Sequence, residues 1–198
     1  MPNFTDLTGL ASVAIAAAAT VQLLPGVASL AKPRLAILLV TVCVLMLIPF
    51  NGMPLAAYVR GVTGDLSITA MVLISCALLR PWCGAIESQS RLPLIILIVL
   101  AGLALYPMAL GLGAYDSYRL GYGDPLFVSA LLLIALVAWF RKFTLIVLSI
   151  ALATIAWTTG WYESTNLWDY LLDPFVWIYA LAALVGHVVK ARRQTSLG

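Results

Sequence analysis

Basic and acidic residues alternate at the ends of apolar segments along this chain, and no other feature restricts its fold as much. Nine of the eleven Lys and Arg residues fall at one set of ends: Lys32, Arg34, Arg80, Arg91, Arg141, Lys142, Lys190, Arg192 and Arg193. Seven of the eight acids fall at the other: Asp6, Asp65, Asp116, Asp124, Glu163, Asp169 and Asp173. Only Glu87 opposes the first group, and only Arg60 and Arg119 oppose the second. Membrane proteins order charge in this way because Lys and Arg are kept on the cytoplasmic side. The composition agrees. Charged residues are 10% of the chain, hydrophobic residues 63%, and the mean hydropathy is +1.05. A soluble domain carries roughly 25% charged residues, so this chain lacks the polar groups to cover a surface in water.

The reading is therefore all-α, a single domain over 1–198 that forms a bundle of about seven transmembrane helices. The apolar segments lie at about 9–31, 35–50, 66–83, 92–113, 125–140, 143–161 and 174–190. A span needs about 20 apolar residues, so the short third and fifth segments are expected to extend into their flanks. The positive-inside rule places the N-terminus outside and the C-terminus in the cytoplasm, in the cell inner membrane. The first segment has no basic residue before Lys32 and is read as a retained helix rather than a cleaved signal. The external loops are then 51–65, 114–124 and 162–173. Cytoplasmic links are minimal, with Arg141-Lys142 forming nearly the whole of one.

Two external loops share the pattern R-x-x-x-G-D, Arg60…Gly64-Asp65 and Arg119…Gly123-Asp124. The third ends Asp173-Pro174, as the second ends Asp124-Pro125. The hairpins 2–3, 4–5 and 6–7 are thus candidates for a parallel repeat. Asp65, Asp124 and Asp173 are expected to be helix N-caps, because an Asp carboxylate accepts the free N–H groups of a first turn. Pro at the next position loses nothing there.

Three kinds of candidate site remain on the external side. Arg60 and Arg119, near helix N-termini, are candidates for gripping a phosphate or lipid headgroup. Asp116, Asp169 and Glu163 are the candidate catalytic acids, as acid, base or cation ligands. Trp168 and Tyr170, in an amphipathic stretch running Asn166 to Asp173, are candidates for docking a partner from the membrane surface.

Several function classes are disfavoured. One histidine, His187, cannot make a bis-His haem or a multi-His zinc site. Cys43, Cys76 and Cys83 have no metal spacing. No retinal lysine lies deep in the last span, where position 177 is Trp. No Lys, Arg, Asp or Glu lies near the middle of a span, where ion-coupled transporters usually keep ionisable residues. There is no Walker loop, G-x-S-x-G or H-E-x-x-H. No cofactor or metal is called for, and the scattered basic residues do not mark a nucleic-acid surface. The leading expectation is a non-enzymatic membrane subunit or scaffold. Its partners would be membrane lipids and another membrane or periplasmic protein bound through the external loops. The alternative is a small enzyme or carrier for an anionic lipid or lipid-linked glycan, and the third is a passive channel.

Overall fold

The computed structural model describes residues 4–84, 88–113 and 115–195; Glu87 lies outside them. Among these residues the chain is nearly all helix. The helices are α1 (Phe4–Gln22), α2 (Lys32–Leu47), α3 (Leu55–Thr63), α4 (Ile68–Cys83), α5 (Ser88–Ala109), α6 (Pro125–Phe140), α7 (Thr144–Thr158), α8 (Leu167–Leu171) and α9 (Pro174–Thr195). A 3-10 turn covers Ser117–Gly121, and two short strands, β1 (Pro49–Phe50) and β2 (Met53–Pro54), pair antiparallel.

Each apolar segment of the sequence contains a helix, but the boundaries move. The first segment was expected to run to 31, and α1 stops at Gln22. Pro25 cannot donate a backbone hydrogen bond, and Gly26 turns left-handed at φ +84°. The chain tightens there into i→i−3 bonds, Leu23 N to Thr20 O and Leu24 N to Val21 O, both 3.1 Å. The expected external loop 51–65 also holds more structure than a loop. Asn51 and Gly52 have φ of +52° and +95°, which a primed two-residue hairpin turn requires. The nine-residue α3 follows and ends at Gly64, φ +71°, whose N–H donates to Arg60 O at 2.8 Å.

Length separates the helices. Ser90–Ala109 and Pro174–Gln194 are long and apolar enough to cross a membrane. Asp6–Gln22, Ile68–Cys83, Pro125–Phe140 and Thr144–Thr158 are apolar but shorter. At 1.5 Å per residue, a helix of 16 residues such as α4 or α6 reaches about 24 Å, against a hydrocarbon core of about 30 Å. By length and composition, then, two of the seven expected spans qualify among the described residues.

Contacts gather the chain into two compact units. The first comprises Met1–Leu66, Ala70–Ile86 and Ala156–Thr165. Its centre is the pairing of α1 with α2, where Ala18 packs on Leu35 and Leu39, with Val27, Val42, Cys43 and Leu78 around them. Small residues such as Ala14 and Ala18 on α1, both 1% exposed, let the helices approach closely. The Cys43 thiol donates to Ala14 O at 3.6 Å. Thr8 Oγ1 donates to Trp161 O at 2.5 Å, and this ties the start of α1 to the segment after α7.

The second unit comprises Ser67–Thr69, Glu87–Ile155 and Asn166–Gly198. Here α5 packs on α9. Gly102 on α5 leaves room for the Trp177 indole, which contacts the position a Cβ would take. The same indole donates to Val99 O at 3.3 Å and lies 4.9 Å from the Tyr106 ring, centroid to centroid. Pro125 and Pro174 open α6 and α9 at their first turns, immediately after Asp124 and Asp173. Lys142, at φ +58°, makes the tight turn from α6 to α7, and Ser90 Oγ donates to its carbonyl at 3.4 Å.

Candidate functional site

In the first unit the polar site is built around Arg60. Positions 56, 60 and 63 of α3 share one helical face. Ala56 is fully buried, and Arg60 lies against α1 so closely that Gly9 has no room for a side chain. The guanidinium is used on both sides. Its Nε and Nη2 donate to Asp65 Oδ1 and Oδ2 at 2.6 and 3.0 Å, a bidentate fork, and Nη1 donates to Asp6 Oδ1 at 3.1 Å. The hydrogen bonds that Arg60 donates to Asp65 hold its pKa above the ordinary value, and Asp6 adds to this. Arg60 is thus an internal clamp that joins α1, α3 and the entrance to α4. Asp65, expected as the N-cap of the following helix, is instead the clamp's main acceptor. The helix begins only at Ile68, too far along for the Asp65 carboxylate to serve as its cap while forked to Arg60.

A second face of α3, about a third of a turn away, is apolar and exposed. Leu55, Val59 and Val62 recur at i, i+4 and i+7, with Tyr58 beside them. Val62 is 88% exposed. Phe50 and Met53 of the hairpin extend this exposed surface, and Tyr58 Oη ties helix to hairpin by donating to Phe50 O at 3.2 Å.

In the second unit the polar residues around the 3-10 turn form a joint with α8. Asp116 caps the 3-10 turn by accepting from Tyr118 N at 3.0 Å. Asn166 caps α8 by accepting from Trp168 N at 2.9 Å, and its amide donates to Tyr118 O at 2.9 Å. Trp168 Nε1 donates to Ser117 O at 3.0 Å. The Tyr118 hydroxyl donates to the Asp169 carboxylate, at 2.9 Å to Oδ2. Asp124 caps α6 through Leu126 N and Phe127 N at 2.9 and 3.1 Å. Asp173 caps α9 through Val176 N at 2.8 Å, and its other oxygen accepts from Ser67 N and Ser67 Oγ at 2.9 and 2.6 Å.

These placements redistribute the expected roles. Trp168 and Tyr170 are 8% and 0% exposed, so they are core of the second unit and not a docking patch. The aromatic face of the short amphipathic helix turns inward, onto Phe127, whose ring lies 4.5 Å from Trp168 between centroids. Asp116 and Asp169 act on the local fold, as a cap and as the acceptor for Tyr118. Glu163 is exposed. Arg119 is exposed, and its guanidinium makes no hydrogen bond or ion pair among the described residues. Among the described residues no group of three or more His, Cys, Asp and Glu could hold a metal ion.

The second unit also encloses an apolar cavity of about 220 Å³. Three stripes at helical spacing line it: Leu94, Leu97, Ile98 and Ala101 on α5; Phe127, Ala130, Leu131 and Ile134 on α6; Ile146, Ser149 and Ile150 on α7. Trp168, Leu171, Leu172 and Thr69 complete it. Ser149 is 2% exposed, and its hydroxyl has no hydrogen-bond partner among the described residues. Nothing in the sequence sets it apart, because its isolation depends on which helices surround it.

The Arg60 clamp gives a first test. Arg60→Ala should lower stability by about 2 kcal/mol, between the values for exposed and for buried ion pairs, because Asp65 and Asp6 are left partly buried without their cation. Arg60→Lys should restore less than half, since an ammonium cannot reproduce the fork. Thermal unfolding of the detergent-solubilised protein measures both.

Compared with known proteins, the chain matches no family model, no curated protein and no solved structure.

Proposed function

We propose that the protein is a multi-pass subunit of the cell inner membrane, with its N-terminus outside, its C-terminus in the cytoplasm and about seven spans, and that it binds a protein partner through its external side without catalysing a reaction. Burial supports the membrane placement. The core helix of a soluble protein is mostly covered, whereas only 33% of the best apolar stretch in Ser90–Ala109 and 11% of that in Pro174–Gln194 are buried. The apolar α6 buries only Ala138 and exposes Leu132, Leu133, Val137, Trp139 and Phe140. Contiguous apolar surface of that kind is rare on a protein in water. The 15- and 16-residue helices span in this reading by local thinning of the bilayer and by flanking side chains that reach the interface.

The observation that carries the partner reading is α3, a helix clamped on one face by three charges and apolar and exposed on a second. A helix that lies on lipid usually carries Lys and Arg on its polar face. The one cation of α3, Arg60, is already held by Asp65 and Asp6. The external side as a whole has seven acids and two arginines, which disfavours anionic headgroups. The same count weakens the lipid-carrier alternative, in which Arg60 would have to release two carboxylates to take a phosphate. The partner that fits is a protein with an apolar surface and a basic rim.

A photo-crosslinking residue at Val62 in native membranes tests this. The reading expects one protein adduct, lost when Tyr58→Ala or Val59→Glu is added on the same face. Val59→Glu, a surface change that removes no hydrogen bond, should alter stability by no more than about 0.5 kcal/mol. Lipid adducts alone, or a protein adduct indifferent to those changes, would count against it.

A further inference from the structure

The cavity of the second unit is an elongated slot. Leu94 to Ala101 on α5 and Phe127 to Ile134 on α6 each run seven residues, about 10 Å at 1.5 Å per residue, and both stripes are apolar throughout. Water is a poor occupant, because a buried water needs two to four polar partners. Ser149 and Thr69 are the only side chains with polar groups outside the aromatic Trp168 that line the slot. A dry cavity of about 150 Å³ already holds a benzene-sized ligand, so one of about 220 Å³ accommodates a length of hydrocarbon chain. The α6 wall is open: Ala130 is exposed, and Leu131 and Ile134 are half-buried. A chain can therefore pass in sideways from a surrounding bilayer.

Ser149 gives the occupant a polar feature. It sits five residues into α7, about 7.5 Å from the start of the helix. In the proposed orientation that start is cytoplasmic. A buried hydroxyl without a partner costs free energy that a ligand oxygen can recover. An ester carbonyl at this shallow depth supplies the acceptor, and the chain beyond it runs along the slot toward Trp168. A purely hydrocarbon isoprenoid tail has no such oxygen.

We infer that the slot between α5, α6 and α7 is a binding site for one fatty acyl chain of a cytoplasmic-leaflet lipid, its ester carbonyl accepting a hydrogen bond from the Ser149 hydroxyl. The inference rests on the membrane placement above and is independent of the protein partner.

The test uses the full chain in nanodiscs containing phosphatidylglycerol with a diazirine midway along one acyl chain, with adducts mapped by mass spectrometry. Labelling is expected on Leu97, Ala101 and Ile134 as well as on the outward-facing Leu132, Leu133 and Leu136. Ala101→Phe, which fills the slot, should abolish the inward adducts and spare the outward ones. Ser149→Ala should reduce the inward adducts about fivefold, the loss of one ordinary hydrogen bond. Outward adducts without inward ones would overturn the acyl site and leave the membrane placement intact. Inward adducts unchanged in both variants would overturn the site as well, and no adducts on either face would contradict the membrane placement itself.

Discussion

Asp173→Ala should lower the stability of the protein by about 3 kcal/mol, because one buried carboxylate serves two distant segments. Asp173 is 5% exposed. Its Oδ1 caps α9 at Val176 N, and its Oδ2 takes both donors of Ser67, 106 positions earlier in the chain. Alanine removes the cap, typically worth about 1 kcal/mol. It also withdraws the carboxylate from Ser67, which is fully buried. Relief of the desolvation of a buried charge offsets part of the loss, which keeps the expected value below the sum of the three bonds. Asp173→Asn keeps an accepting oxygen on one side only and puts an NH2 donor on the other, so it should cost about half as much. The Tm of the detergent-solubilised variants, followed by circular dichroism, checks the order. For a chain of this size about 3 kcal/mol corresponds to a fall of roughly 6–12 °C.

Gly121→Ala should be at least as damaging, by a different mechanism. Gly121 is buried in the 3-10 turn, and a Cβ there would overlap Asn166 Oδ1 and lie 2.7 and 2.8 Å from Asn166 Cγ and Trp168 Cδ1. Neither neighbour can yield cheaply. Asn166 is fully buried and holds Trp168 N and Tyr118 O, while the Trp168 indole holds Ser117 O. The turn and α8 must separate, and all three hydrogen bonds loosen together. Overpacking of this kind costs about 1–3 kcal/mol or more, and the broken joint places the expected loss near about 3 kcal/mol. Gly61→Ala is the control. Nothing lies within 4 Å of that position, and alanine in an exposed helix should be neutral or stabilising by up to about 1 kcal/mol. Combined with Asn166→Ala, Gly121→Ala should cost less than the sum of the two, because the shared clash is gone.

The helices were legible in the sequence because unbroken apolar runs and Asp-Pro starts are local signals. Asp124 and Asp173 sit where a cap followed by proline must sit. The first segment is longer in the sequence than in the structure because apolar residues continue past Gln22, whereas Pro25-Gly26 turns the chain out of the helix. The Asn51-Gly52 hairpin and the i, i+4, i+7 stripe of α3 were both present as local patterns, inside a stretch read only as a loop. The R-x-x-x-G-D echo is partly physical. Gly64 and Gly123 share a left-handed φ, +71° and +85°. The charges around them differ: Arg60 forks to Asp65, whereas Arg119 is exposed and Asp124 caps α6. A six-residue match cannot encode that difference, because Asp6, which completes the Arg60 clamp, is 54 positions away. Trp168 and Tyr170 show the same limit. An amphipathic segment states that one face is apolar, and only the tertiary fold states whether that face meets lipid, a partner or the protein's own core.

The placement of the chain in the membrane underlies the partner reading and the acyl slot alike, and topology mapping tests it most directly. Single cysteines would replace Val62, Leu112 and Glu163 on one side and Arg34, Arg141 and Arg192 on the other, with Cys43, Cys76 and Cys83 changed to Ala. A membrane-impermeant maleimide would then be applied to intact spheroplasts. The account predicts labelling at 62, 112 and 163 before lysis, and at 34, 141 and 192 only after it. Labelling of both sets before lysis, or of the second set alone, would contradict it.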